Sequence, residues 1–274
     1  MNDFISQIFL DYQTFYMDEW FWMFPAATLG LSLVAFLIFA LPWTWLAYIE
    51  PKWLAPYRIQ NKSIDVKGTF WPSIYHSFKN TAVAFGFLVL LWPLIKHTGI
   101  HVGELPAWYI IPIQIVFFIL LDDFLYYWMH RTFHENKWLL KNVHIVHHEI
   151  KNTCAINGNY MHWFEFACTA GLMLIGPIIV GAHLYVLWAW VIIRQFEAAD
   201  GHMGYDIPWN PARLFLIYHG PVYHDFHHAK FKGNYAGFLS YLDGLLGKTH
   251  VKKYLEYKSL KQQGLSVEEI RKQL

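Results

Sequence analysis

The chain has few charged residues and few cysteines, and both shortages narrow the classes of protein to which it can belong. Asp, Glu, Lys and Arg make up 15% of its 274 residues, whereas 55% are hydrophobic and 19% are aromatic. This balance is typical of a protein that crosses a membrane several times. Two cysteines, Cys154 and Cys168, are too few for a disulfide framework, which fits a site that faces a reducing cytosol. A net charge of +1 gives no basis for nucleic acid binding.

Several sequence signatures are also missing. The N-terminal residues lack the positively charged stretch of a secretory signal, so we expect none. No HExxH motif is present, because Asn152 stands four residues after His148, and a zinc protease is therefore not expected. The glutamate-rich helices of soluble di-iron bundles are absent too.

Histidine, by contrast, is abundant, and half of the sixteen histidines fall into three clusters. These eight are His130, His134, His144, His147, His148, His224, His227 and His228. Residues spaced by three or four share one face of a helix. Crowded imidazoles repel and are costly to desolvate unless a metal ion binds them, and neutral imidazole is a common metal ligand. The clusters predict a site for two metal ions, and an all-imidazole site near a membrane favours iron over copper or zinc.

Uncharged stretches predict three transmembrane helices, at about residues 20–49, 80–99 and 108–127. The loop at residues 51–79 is rich in lysine and arginine, so the positive-inside rule predicts that it is cytoplasmic. The third predicted span leads directly into the first histidine cluster. We therefore expect the histidines on the cytoplasmic side, close to the membrane surface.

Residues 166–193 carry no formal charge but are interrupted by glycine and proline. A single span here would separate the last histidine cluster from the first two, so we predict a re-entrant or short helical hairpin that turns near residues 176–181. The predicted fold is an all-α polytopic membrane protein with three transmembrane helices plus this hairpin, capped by a cytoplasmic histidine-rich helical catalytic domain. Its regions are 1–129, with the spans, 130–250, the catalytic domain, and 251–274, a basic cytoplasmic tail.

The histidine motifs HRTFH, HIVHHE and HDFHH, with the segments around residues 188–211 and 224–248, resemble the fatty acid hydroxylase/sterol desaturase superfamily. Within it, they are most similar to the C-4 methylsterol monooxygenases. The resemblance implies a non-haem di-iron enzyme that oxidises a sterol methyl group with O2, using NAD(P)H electrons delivered by a reductase and a cytochrome b5-type donor. It also implies that the eight clustered histidines are iron ligands. His202 matches a family histidine and is the candidate for a ninth ligand, and His162 is a weaker candidate.

Other functions are also compatible with these motifs. Within the superfamily the alternatives are sterol C-5 desaturase, fatty acid 2-hydroxylase and alkylglycerol monooxygenase. From a different class, the histidines would bind haem or a metal in a membrane protein without oxygenase activity. We expect an endoplasmic reticulum membrane location in a eukaryote, where the Arg271–Lys272 pair resembles a retrieval signal, or the cytoplasmic membrane in a bacterium.

Carboxylates near the histidine motifs are candidates for orienting the imidazoles through hydrogen bonds. They are Glu149, Glu165, Glu197, Asp200 and Asp225. We expect a lipid substrate to enter sideways from the bilayer. The expected pocket walls are aromatic: Trp163, Phe164, Phe196 and Tyr205.

Overall fold

The computed structural model describes residues 2–60, 62–210, 212, 218 and 220–246, with a few isolated positions nearer the end of the chain. This part of the chain is largely helical, and its β pairing is limited to isolated bridges. The predicted all-α class is therefore confirmed. Most of the predicted tail 251–274, including Arg271–Lys272, lies outside the described residues.

The main helices of the described chain are α1 (Asn2–Thr14), α2 (Glu19–Ile49), α3 (Val66–Ile95), α4 (Ile110–Glu135), α5 (Trp163–Val180), α6 (Leu184–Gly201), α7 (Pro221–Lys230) and α8 (Tyr241–Leu246). Helices α2 to α5 are each long and apolar enough to cross a membrane. A polytopic membrane protein is thus confirmed. Short helical turns at Leu140–His144, His147–Glu149 and Ala155–Asn159 connect α4 to α5.

Local side-chain chemistry sets the ends of these helices. Asp18 begins α2 by accepting the Trp20 N–H, and Asp65 begins α3 by accepting the Gly68 N–H. These bonds satisfy backbone donors that have no partner inside a helix. At its other end α2 stops where Glu50 adopts a left-handed backbone with φ of 43°.

Two helices extend beyond the spans expected from hydropathy. Helix α3 begins at Val66 rather than near residue 80. Hydropathy did not mark its first turns because they are polar and carry Lys67 and Lys79. Helix α4 continues past residue 127 to Glu135 and carries the first histidine motif on its last turns. Hydropathy marks the apolar part of a helix, whereas the hydrogen-bonded helix continues to the next capping residue.

The chain reverses direction between α5 and α6. Gly181 ends α5 with φ of 55°, a conformation that glycine adopts without strain, and the His183 side chain caps α6 by accepting the Tyr185 N–H. The reversal lies at the end of the expected 176–181 turn. It brings His202, at the end of α6, back to His147 in the segment that follows α4.

Helix α6 is the central element of the bundle, packed along α2 and joined to α5. Trp190 donates its indole N–H to the Met173 carbonyl of α5 at 2.9 Å, and Gln195 donates to Ser32 of α2 at 2.8 Å. Hydrogen bonds between helices are typical of membrane bundles, where apolar side chains gain little by leaving lipid. Because these bonds fix α6 on both neighbours, they also fix the position of His202 at its end.

We expect Gly158→Ala to destabilise the protein. Gly158 lies in the Ala155–Asn159 turn, and a Cβ there would come within 2.4 Å of the Ala198 carbonyl oxygen on α6. The turn or α6 must shift, at a cost of about 1–3 kcal/mol. Thermal unfolding in detergent measures the effect. Gly171→Ala is the matched control, since a Cβ on Gly171 meets nothing within 4 Å; equal midpoints for both variants would contradict this prediction.

Candidate metal centre

Nine buried or half-buried histidines converge from four segments of the chain: the end of α4, the turns that follow it, the end of α6, and α7. They form two groups in which one ring nitrogen per residue lies within 4.8 Å of every other. The first group is His130, His134, His144, His148 and His227, and the second is His147, His202, His224 and His228. The structure thus brings together all eight clustered histidines and His202.

The grouping differs from the expected helical faces. His144, His147 and His148 were expected to form one patch, but His147 belongs to the second group and the other two to the first. The histidines four apart in this segment share a group, although the segment is a π-helical turn followed by a 3₁₀ turn rather than an α-helix. His227 and His228 on α7 separate in the same way, because adjacent helical residues point about 100° apart.

Within each group the inner nitrogens are spaced like ligands of one metal ion. In the first group His134 Nε2 lies 2.8 Å from His144 Nε2 and 3.1 Å from His227 Nε2. In the second, His224 Nε2 lies 2.9 Å from His202 Nε2. Two adjacent ligands that are each ~2.1 Å from a metal ion stand roughly 3 Å apart. The observed distances fit this spacing.

The hydrogen bond that an outer ring nitrogen makes determines which nitrogen of that histidine faces the centre of the group. Five histidines donate Nδ1–H to a fixed acceptor, and a neutral imidazole has only one N–H, so their Nε2 atoms present lone pairs to the centre. The pairs are His130 with the Tyr235 carbonyl, His227 with the Gly233 carbonyl, His147 with the Tyr160 carbonyl, His202 with the Ala198 carbonyl, and His144 with the Glu165 carboxylate. Lone pairs about 3 Å apart repel unless a cation lies between them. The donor set therefore fits a metal ion in each group.

Burial keeps these imidazoles neutral. It lowers the pKa of His147 to about 4, and burial with the nearby His147 lowers the pKa of His202 to about 3. Burial and the neighbouring imidazoles hold the pKa of His224 well below its usual value. Since only unprotonated imidazole binds a metal ion, both groups are ready to do so at neutral pH.

The two groups are not equivalent. A cavity of about 70 Å³ adjoins the second group, and its lining includes His147, His202 and His224. Liquid water occupies about 30 Å³ per molecule, so the cavity has room for roughly two waters or for a molecule of similar size. The second group has four histidines and the first has five. The arrangement is that of a metal centre with one side open to a small ligand.

Of the five carboxylates expected to orient imidazoles, Glu165 makes such a contact. Its Oε1 lies 2.7 Å from His144 Nδ1, and both side chains are buried. The others accept hydrogen bonds from non-histidine residues: Glu149 from Tyr160, Glu197 from Arg194, Asp200 from Asn210 and Tyr218, and Asp225 from Gln60. Arg194, which ends the uncharged stretch of α6, was not singled out from the sequence, although a charge beside a membrane segment is itself a functional signal.

His162 and His183 cap helices and lie outside both groups. His162 caps α5 by accepting the Phe164 N–H at 3.2 Å, and His183 caps α6. His183 is buried beside the Gly103 carbonyl. The weaker candidate His162 therefore has a helix-capping role here, and the structure does not bring it to the centre.

We expect Glu165→Gln to weaken metal binding by about 10- to 100-fold, because the neutral amide polarises the His144 ring less than the carboxylate does. Titration of the metal-free protein with Fe²⁺ under nitrogen measures the affinity. Glu104→Gln, an exposed loop residue, is the control. An unchanged affinity in Glu165→Gln would show that this contact only packs the ring.

The part of the chain that holds the histidine site resembles a known protein family. The model of the fatty acid hydroxylase family matches residues 115–248, which contain all nine histidines. Methylsterol monooxygenase 2-2 of Arabidopsis thaliana is 31% identical over 258 residues, which cover 91% of this chain and 94% of that protein. The chain belongs to the fatty acid hydroxylase family. The resemblance inferred from the motifs is confirmed.

Other relatives widen the range of activities. A very-long-chain aldehyde decarbonylase of Oryza sativa subsp. indica is 36% identical over 201 residues, which cover 70% of this chain and 74% of that protein. Methylsterol monooxygenase 1-3 of Arabidopsis thaliana is 33% identical over 221 residues, which cover 78% of this chain and 76% of that protein. No solved structure gives a significant match. This member of an oxygenase-like family of membrane enzymes thus has relatives named for two different lipid reactions.

Proposed function

We propose that the protein is a membrane-bound non-haem di-iron monooxygenase that oxidises the C-4 methyl group of a sterol with O2. The observation that carries the proposal is a pair of all-histidine groups, one of which opens on a small cavity. An unactivated methyl group is not oxidised by side-chain acid–base chemistry, so a redox-active metal is needed. Bound iron would supply the activation of O2 on which this oxidation depends.

In this mechanism the chain's own residues hold and orient the centre. The five-histidine group and the four-histidine group would each hold one iron. In five of the nine histidines, Nδ1–H bonds to backbone carbonyls or to Glu165 keep the ring turned with Nε2 inward. The small cavity beside His147, His202 and His224 would admit O2 and the reacting carbon. Burial of the histidines excludes bulk water, which limits side reactions.

A second cavity, of about 800 Å³, supports a lipid substrate. It lies between α4 and α6, and its lining also includes Phe39 of α2 and Phe238. Almost all of the lining side chains are apolar, among them the expected wall residue Phe196. Val116 and Leu120, on its α4 side, are exposed at the outer surface of the bundle. This arrangement supports lateral entry of the lipid from the bilayer. Tyr205, another expected wall residue, instead packs in the protein core.

A sterol is favoured over an aldehyde as the substrate because the match to a methylsterol monooxygenase covers more of the chain. The methylsterol monooxygenase 2-2 match covers 91% of the chain, whereas the decarbonylase match covers 70%. Action on a very-long-chain aldehyde is the second candidate, favoured by the higher identity over the shorter stretch. A large apolar cavity suits either lipid.

Electrons for O2 chemistry are proposed to come from NAD(P)H through a reductase and a cytochrome b5-type donor. The basic residues at positions 51–79, in the loop before α3 and in its first half, support a cytoplasmic orientation of the histidine centre, where such donors would meet it. We propose an endoplasmic reticulum membrane in a eukaryote and the cytoplasmic membrane in a bacterium.

The test combines metal content with turnover. Protein purified in mild detergent should contain about two irons per chain, with no haem absorption band. With NADPH, a cytochrome b5 and its reductase, it should convert a 4,4-dimethylsterol to an oxygenated product only when O2 is present. A haem band, or conversion of a very-long-chain aldehyde without any sterol product, would overturn the sterol monooxygenase assignment.

A further inference from the structure

Glu197, on α6, lies where the two cavities meet. It lines the small cavity next to the second histidine group, and it also lines the large apolar cavity. Of the described residues that line the large cavity, it is the one that carries a charge. A lipid in the apolar cavity can therefore contact this carboxylate, which also lines the small cavity next to the histidines.

A buried arginine holds Glu197 in place. Arg194 donates Nη1–H to Glu197 Oε2 and Nε–H to Asp122 Oδ2, the second at 3.0 Å. Its guanidinium also lies over the rings of Tyr126 and Phe238, at 5.2 and 5.4 Å from their centroids. With one arginine between two carboxylates, the cluster has room for a further hydrogen-bond donor.

Asp122 Oδ1 and Glu197 Oε1 both remain for that donor, and Glu197 is the one of the two residues that lines the cavities. The hydrogen bond from Arg194 uses Oε2, and Oε1 lies 3.9 Å from the position that a Cβ on Gly201, another residue lining the small cavity, would take. A carboxylate accepts hydrogen bonds but cannot donate them, so the matching group on a ligand is a hydroxyl. A hydroxyl that enters the apolar cavity needs a hydrogen-bond partner, and Glu197 offers it a charged acceptor.

We propose that Glu197 binds the ring hydroxyl of the sterol. This inference rests on the proposed function. A sterol has its hydroxyl on C-3, the carbon next to C-4, so anchoring that hydroxyl at Glu197 directs the C-4 methyl group into the small cavity beside His147, His202 and His224. The apolar ring system then fills the large cavity. An aldehyde has no hydroxyl to donate, so the same carboxylate selects against it.

Binding measurements test the anchor without depending on turnover. The iron-loaded protein is titrated under nitrogen with a 4,4-dimethylsterol and with its 3-deoxy analogue. We expect wild type to prefer the hydroxylated sterol by about 10- to 100-fold, the range for a hydrogen bond to a charged group. In Glu197→Met the preference should fall close to one, while Arg194 keeps Asp122 as its partner. Glu104→Met, at an exposed loop position, should keep the wild-type preference.

A second variant covers the case in which Glu197→Met does not fold. Glu197→Asp keeps the charge but withdraws it by one methylene, so the preference for the hydroxylated sterol should persist. Because the C-4 methyl group is then displaced, kcat should fall at least about tenfold. Iron content should not change. An unchanged kcat in Glu197→Asp, or wild-type preference in Glu197→Met, would overturn the anchor. So would a wild type that binds both sterols equally.

The two proposals can fail separately. If Glu197→Met loses the preference for the hydroxylated sterol but the wild type yields no oxidised sterol, the anchor is supported and the monooxygenase assignment is overturned. If the wild type oxidises the sterol but shows no preference for its hydroxyl, the monooxygenase assignment is supported and the anchor is overturned.

Discussion

Replacing His147 with alanine should abolish turnover and lower the bound iron from about two to about one per chain. His147 is one of four histidines in the second group, so the variant leaves three nitrogens next to the open cavity. Three imidazoles without a fourth protein ligand bind a metal ion less tightly and leave it exposed to exchange. Iron measured by plasma mass spectrometry, together with turnover in the same preparation, tests this result.

His148→Ala is the matched comparison, because the next residue in the chain belongs to the other group. Four of five imidazoles remain in that group, so we expect iron content to stay closer to two while turnover is still lost. His162→Ala is the control, because His162 caps α5 outside both groups. It should keep both irons and its activity, with about 1 kcal/mol lower stability from the lost cap. Identical iron losses in His147→Ala and His148→Ala would contradict the division into two groups.

The sequence predicted which histidines come together better than it predicted their arrangement. Spacing identified eight of the nine, and the ninth, His202, came from the family resemblance. The division of His147 from His148 parallels that of His227 from His228, because in both motifs the histidines four apart share a group and the histidine three apart joins the other. Treating positions three and four apart as one face hid this division, since the two positions differ by about 100° around a helix axis.

The membrane topology was also predicted only in part from the sequence. The uncharged stretches located the spans, and the need to bring three histidine motifs together led to a hairpin, which appears as the reversal between α5 and α6. The polar first half of α3 was missed because hydropathy responds to lipid contact rather than to hydrogen bonding. The pair formed by Arg194 and Asp122 was missed for a related reason: the two residues are 72 positions apart, and only tertiary packing brings them together.

The apolar cavity permits a prediction about substrate shape. Ile115 lines this cavity on α4, and replacing it with tryptophan would fill part of its roughly 800 Å³. We expect Ile115→Trp to raise KM for a rigid sterol at least about tenfold, because buried ring volume cannot be accommodated without strain. A flexible long-chain lipid can bend around the new side chain and should lose less. Iron content should not change, since Ile115 is not among the nine histidines or their described partners.

Ile113→Trp provides the control on the same helix. Ile113 is 61% exposed on the outer surface and does not line the cavity, so tryptophan there should face lipid and leave KM unchanged. Steady-state kinetics on both variants, with a 4,4-dimethylsterol and a very-long-chain aldehyde, separates the candidate substrates. A selective rise in KM for the sterol indicates that the cavity holds its ring system. If Ile115→Trp and Ile113→Trp behave alike with both lipids, the substrate binds elsewhere and lateral entry between α4 and α6 is wrong.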